Sequence, residues 1–183
     1  MSRRWIVTAL GKDRPGIVAA VTERLYRIGC NLEDSAMTRL GGEFTIMLVC
    51  SAPTRLSHPA LSEAFRPLSR RLGLSISVKQ LPPDEAVRPA KRGPAYLISV
   101  YGADRPGIVF HVSQALARTR VNITDVHTHR SPGGRGGSAL YLLLLEIELP
   151  RRLKSGALEK TLRQLGKRLG VEVSLRQADP DVL

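Results

Sequence analysis

The chain has 183 residues, of which 43% are hydrophobic, 24% charged and only 4% aromatic. That is the balance of a globular protein with an aliphatic core, and no apolar run approaches the ~20 residues of a membrane-spanning helix. The formal charge of +12 attracts polyanions and favours solubility alike, so by itself it selects no partner.

Met1-Ser2-Arg3-Arg4-Trp5 leads directly into a strand-like segment. It lacks the ~7–15-residue apolar stretch of a secretory signal, so a cytoplasmic location is expected. Ile6–Leu10 reads as a short buried strand ended by Gly11. The loop Gly11-Lys12-Asp13-Arg14-Pro15-Gly16 follows, with Pro15 suited to a first helical turn. Ile17, Val18, Val21, Leu25 and Ile28 then have the spacing of one buried helical face, and Gly29 can end the helix. Asn31–Arg39 and Phe44–Cys50 read as a hairpin turning at Gly41-Gly42. Leu61, Phe65, Leu68 and Leu72 define one face of a second helix. At Leu74, Ile76 and Val78 the period drops to two, the signature of a strand.

Residues 82–94 hold four prolines and mixed charges, which suit a semi-extended linker and no core element. Beyond it the chain repeats itself. Gly11-Lys12-Asp13-Arg14-Pro15-Gly16-Ile17-Val18 recurs as Gly102-Ala103-Asp104-Arg105-Pro106-Gly107-Ile108-Val109, an offset of 91 residues. At that offset Asn31 matches Asn122, Asp34 matches Asp125 and Arg39 matches Arg130. After the Gly-rich loop Pro132–Gly137 the register resumes at an offset of 97, where Leu61, Phe65, Leu68 and Leu72 match Leu158, Leu162, Leu165 and Leu169. The reading is two domains, 1–81 and 95–183, each βαββαβ. Such a module packs most economically as a four-stranded antiparallel sheet with both helices on one face, an α+β ferredoxin-like fold.

Cys30 and Cys50 are too few for a disulfide framework and read as buried reduced thiols. His127 and His129 share a strand face but lack a third ligand, and copy one has Ala36 and Thr38 there, so no metal is expected. No nucleophile elbow, phosphate loop or zinc-protease motif is present, so the chain reads as a non-enzyme needing no cofactor. Arg151, Arg152, Lys154, Lys160, Arg163, Lys167 and Arg168 crowd the last helix and its approach, and Arg66, Arg70 and Arg71 echo them in copy one. They are either a solvated face or a contact for an acidic protein or nucleic-acid phosphates. Without a DNA-reading motif, direct sequence-specific DNA binding is disfavoured.

Strand, Gly-x-Asp-Arg-Pro-Gly-Ile-Val, amphipathic helix and Asn-apolar-x-Asp, present twice, resemble the ACT domain family of amino-acid-sensing modules. The tandem arrangement without a catalytic domain looks like the glycine cleavage system transcriptional repressor family. A related module precedes the catalytic domain of formyltetrahydrofolate deformylases. The resemblance implies a ligand site between the first strand–helix loop and the start of the second strand, often at an interface between modules. By motif, Gly11, Asp13, Arg14, Pro15, Gly16 and Asn31 fall there, as do Gly102, Asp104, Arg105, Pro106, Gly107 and Asn122.

The residue chemistry is compatible with that site. A helix start offers unpaired N–H groups to a carboxylate, glycine lets a ligand approach the backbone, and asparagine both donates and accepts. Asp13 or Asp104 can receive an ammonium. Each residue also has a purely structural reading: turn geometry for the glycines, prolines and asparagines, helix-end stabilisation for the aspartates, solvation for Arg14 and Arg105. The expectation is a regulator that binds a small amino acid, glycine or similar. It would form a homodimer and act on transcription through a protein partner such as a transcription factor. The alternative is a basic nucleic-acid-associated protein without ligand sensing.

Overall fold

The computed structural model describes residues 2–82, 93–132 and 139–178. Most of the expected linker, and the Gly-rich loop Pro132–Gly137 beyond its first residue, lie outside the described residues. The chain divides into two compact units, Met1–Arg88 and Pro89–Leu183. The first runs β1 (Ser2–Lys12), α1 (Ile17–Arg27), β2 (Asn31–Leu40), β3 (Glu43–Pro53), α2 (His58–Leu72) and β4 (Ser75–Gln80). The second runs β5 (Ala95–Ala103), α3 (Ile108–Arg118), β6 (Asn122–Ser131), β7 (Leu140–Glu148), α4 (Ser155–Leu169) and β8 (Val171–Gln177). Each has the expected βαββαβ order. No helix among the described residues is long and apolar enough to cross a membrane.

Each unit forms its own antiparallel sheet, ordered β2-β3-β1-β4 and β6-β7-β5-β8. Ile6–Leu10, expected as a buried strand, buries only alternate residues: Val7 and Ala9 face the core and Leu10 is 49% exposed. Trp5, Val7 and Ala9 on β1 join Phe44, Ile46, Leu48, Cys50 and Ala52 on β3 beneath Ile17, Val21 and Leu25 of α1 and Leu61, Phe65 and Leu68 of α2. The second unit repeats this with Ile98, Val100, Leu143, Leu145 and Ile147 beneath Ile108, Val112, Leu116, Leu158, Leu162 and Leu165. Fully burying one such aliphatic side chain contributes roughly 1.5–3 kcal/mol, and among the described residues no polar or charged residue is buried.

Two local expectations are corrected. Pro15 and Pro106 precede the helices and do not occupy their first turns. Gly16 and Gly107 are the N-caps, at φ 91° and 94°, a left-handed conformation that glycine adopts without steric cost. Starting at Ile17, the helix turns Val18 outward, and it is 41% exposed. Gly73 and Gly170 end α2 and α4 in the left-handed region, as the matched glycines at the ends of the leucine stripes require.

β2 and β6 are outer strands of their sheets. All ten residues of β2 are exposed, Leu32, Met37 and Leu40 among them. Each strand carries a register shift at the same place, between Leu32 and Asp34 and between Ile123 and Asp125. The bulge frees the aspartate to bond locally. Asp34 accepts from the Ser35 N–H and Asp125 from the Val126 N–H, both at 2.8 Å.

Candidate functional site

The loop between β1 and α1 forms one end of the candidate site. The α1 and α3 N-termini have no side-chain cap and no acidic residue in the first turn. Their first N–H groups therefore have no side-chain acceptor, and the space beside Gly16 is open. Asp13 and Asp104 sit just before. Each receives an arginine from the far end of the second strand: Arg39 reaches Asp13 at 3.1 Å and Arg130 reaches Asp104 at 2.6 Å. The repeat match of Arg39 with Arg130 was the available signal for these partners, but residue type alone did not mark them as part of the site. The loops are also tied by backbone bonds, Asp13 N–H to Gly42 O at 3.0 Å and Asp104 N–H to Ala139 O at 2.8 Å.

The other residues of the motif divide by task. Arg14 donates to the Leu72 carbonyl at the C-terminus of α2. The Arg105 guanidinium lies 3.2 Å from where a β-carbon on Gly170 would stand. Both arginines thus fold back onto the end of the second helix, where cations are favourable. Gly11 and Gly102 are packing glycines. A β-carbon would meet Leu74 Cδ2 at 2.8 Å in the first case and Val171 Cγ1 at 2.9 Å in the second. Pro15 and Pro106 are exposed in the turn before the N-cap.

Asn31 and Asn122 are exposed but stand elsewhere. Asn31 pairs with Ser51, which pairs with Arg4, whereas Gly11 pairs with Phe44. Seven residues of β1 separate the two levels, about 23 Å at ~3.3 Å per residue. The second unit is equivalent: Asn122 lies level with Glu148 and Ala95, Gly102 level with Tyr141. Within one module the loop and the asparagine are at opposite ends of the sheet.

His127 and His129 lie on the sheet face away from the helices. His127 contacts Asp125 at 2.7 Å, and no group of three potential metal ligands occurs among the described residues. In module 2 the His111 ring lies 3.4 Å from a β-carbon position on Gly107, where module 1 has Ala20, so the two loops present different surfaces. Cys30 and Cys50 are buried free thiols. Burial raises both pKa values, that of Cys50 to about 12, with the adjoining Cys30 and Glu33 adding to it.

Residues 3–79 and 95–176 each match the ACT domain family. Over 172 residues the chain is 28% identical to the glycine cleavage system transcriptional repressor of Escherichia coli (strain K12), covering 93% of this chain and 87% of that protein. A UPF0237 protein of Streptococcus mutans is 34% identical over 74 residues, 40% of this chain and 84% of the relative. Among solved structures, an unknown protein from Galdieria sulphuraria superimposes with a TM-score of 0.83 at 25% identity, covering 98% of this chain and all of the other. A candidate glycine cleavage system transcriptional repressor superimposes at 0.68 with 20% identity, covering 98% of this chain and 99% of the other, and supports the fold.

Proposed function

Because the chain belongs to the ACT domain family of regulatory, non-catalytic modules, we propose that it senses a small amino acid. Glycine or a near relative is the proposed ligand, and the output passes to transcription through a protein partner such as a transcription factor. The observation that carries this reading is the duplicated loop. In both modules an uncapped helix start with a left-handed glycine adjoins an aspartate held by an arginine. The N–H groups suit the ligand carboxylate and the aspartate suits its ammonium. The name of the E. coli relative supports glycine metabolism as the regulated process.

The asparagine enters from a neighbouring module. Antiparallel pairing of two β2 edges brings the Asn31 end of one strand beside the Asp13–Arg39 end of the other. The full exposure of β2 supports this, since an uncovered ten-residue edge is a template for strand pairing. A homodimer joined through such edges completes loop and asparagine together. Ligand binding then stabilises one arrangement of copies over another, which is the differential affinity that regulation requires. The proposed place of action is the cytoplasm, where free amino acids meet the transcription machinery.

Calorimetric titration of the full chain with a panel of amino acids tests the reading. Saturable binding of glycine or a small relative at micromolar to millimolar concentration is expected. Heats indistinguishable from dilution across the panel would overturn it.

A further inference from the structure

The acidic residues of the second module's sheet collect on one face, where Arg176, level with Leu97, stands among them. Asp125, Glu146 and Glu172 alternate with buried or core-facing residues along β6, β7 and β8, so all lie on the face away from the helices. Glu148 lies on the same face. The helix layer carries the opposite sign. α3 has no acidic residue, and between Pro150 and Gly170 seven basic residues accompany Glu159 alone. Arg151, Arg152, Lys154, Lys160, Arg163, Lys167 and Arg168 are all exposed. Arg163 is paired with Glu159 at 2.7 Å. A surface shaped only for solubility intersperses its signs.

Helix electrostatics do not account for this arrangement. Lys167 and Arg168 in the last turn of α4 favour the helix dipole. Arg151, Arg152 and Lys154 stand at its other end, where cations oppose the dipole. Lys154 is itself the N-cap and supplies no side-chain cap, and the first turn has no acid to compensate. The N-terminal bases therefore cost the helix stability.

The same surface narrows the kind of partner. Among the described residues, no large apolar side chain is exposed from Pro150 onward, whereas the centre of a protein interface is normally apolar or aromatic and depleted of lysine. The α4 face also lacks the aromatic side chains on which single-stranded bases stack. What it offers is the row Lys160, Arg163 and Lys167 over about 10 Å of helix, flanked by Arg151, Arg152, Lys154 and Arg168, with a groove of about 320 Å3 along the row and another of about 280 Å3 between Arg118 and Arg168. Duplex DNA carries one charge per ~3.4 Å along each strand, so a cationic face of this kind meets phosphates without reading bases.

We propose that the α4 face of the second module, from Arg151 to Arg168, docks on the phosphate backbone of duplex DNA. The contact is independent of sequence and of amino-acid sensing. It brings the regulator close to the DNA on which a partner acts, and the partner supplies base recognition.

Fluorescence anisotropy of a labelled 20-base-pair duplex of arbitrary sequence, titrated with the full chain between 20 and 200 mM NaCl, tests the proposal. Binding should weaken linearly in log–log form with salt, and Lys160→Gln with Lys167→Gln should lower the slope by about 1.8, roughly 0.9 per lost contact. Affinity at 50 mM salt should fall at least about tenfold in that variant. Lys160→Arg with Lys167→Arg should retain binding, which separates loss of charge from loss of fold. Lys79→Gln in the first module should leave the slope unchanged. Absence of duplex binding at 20 mM salt, an unchanged slope in the double glutamine variant, tighter binding of a single-stranded 20-mer, or competition by polyglutamate as strong as by duplex would each overturn it.

Discussion

Asn31 and Gly11 lie seven residues apart as measured along β1, at opposite ends of one sheet, so no amino acid bridges them within a module. The proposed site therefore needs a second module, taken to come from a second copy, and complementation tests that source. Asn31→Ala with Asn122→Ala removes one half of every site, and Asp13→Asn with Asp104→Asn removes the other. Neither variant should show an amino-acid-induced thermal shift. Refolded together at equal concentration they form mixed twofold dimers, in which about a quarter of all sites are intact. Recovery of a ligand response at about that stoichiometry is expected, and a mixture as silent as its components would exclude a site shared between chains.

The glycines of the loop separate into two kinds by what surrounds them. At Gly11 a methyl group meets Leu74 Cδ2 at 2.8 Å and the Gly73 carbonyl oxygen at 3.0 Å. Gly11→Ala should cost about 1–3 kcal/mol in urea unfolding through overpacking. At Gly16 nothing lies within 4 Å, but φ is 91°. Gly16→Ala should cost about 1–2 kcal/mol through backbone strain, with little change in packing. Crystallography of the two variants distinguishes them: a displaced α2–β4 turn in the first, a shifted helix start in the second.

Element type and repeat were readable because the local and tertiary preferences agree. Leu61, Phe65 and Leu68 are buried as their spacing requires, and Gly73 and Gly170 stop their helices as glycine does. The site was less legible. The pairing of Asp13 with Arg39 joins residues 26 positions apart through the sheet register, and the register there depends on the turn at Gly41-Gly42. Arg14 looked free in sequence because its partner is a backbone carbonyl, Leu72 O, which no residue type announces. Val18 looked buried because it is apolar, but it stands about 100° around the helix from Ile17, off the stripe of Ile17, Val21 and Leu25.

The Asp104–Arg130 contact separates function from stability. It is short, 2.6 Å, but the arginine side chain is 67% exposed, and exposed ion pairs contribute about 0–1 kcal/mol. Asp104→Asn should therefore move the unfolding midpoint only slightly while abolishing amino-acid binding in the second module. Arg130→Gln should leave the carboxylate in place and weaken binding by a smaller factor. If calorimetry found Asp104→Asn binding its amino acid with wild-type affinity, the ammonium-binding role of the aspartate would fail.

Cys50 links the first core to alkaline pH. Burial, then the neighbouring Cys30, hold its thiol near a pKa of about 12 against an ordinary 9.0. The folded state thus keeps a proton that the unfolded chain releases above about pH 9. Stability from this group is complete at neutral pH and declines as pH rises from 9 towards 12, by at most about 1.4 kcal/mol per pH unit per thiol. The repeat supplies the control, because Val121 and Ile147 occupy the equivalent positions in the second module and both are buried. Cys30→Val with Cys50→Ile should fold, since both replacements are apolar at sites their counterparts fill. The two proteins differ only at these two side chains, so the difference between them isolates the thiols. Denaturant unfolding at pH 8, 9 and 10.5 should show a steeper loss in the cysteine protein. Parallel losses would mean that the thiols ionise no less readily in the fold than in the unfolded chain.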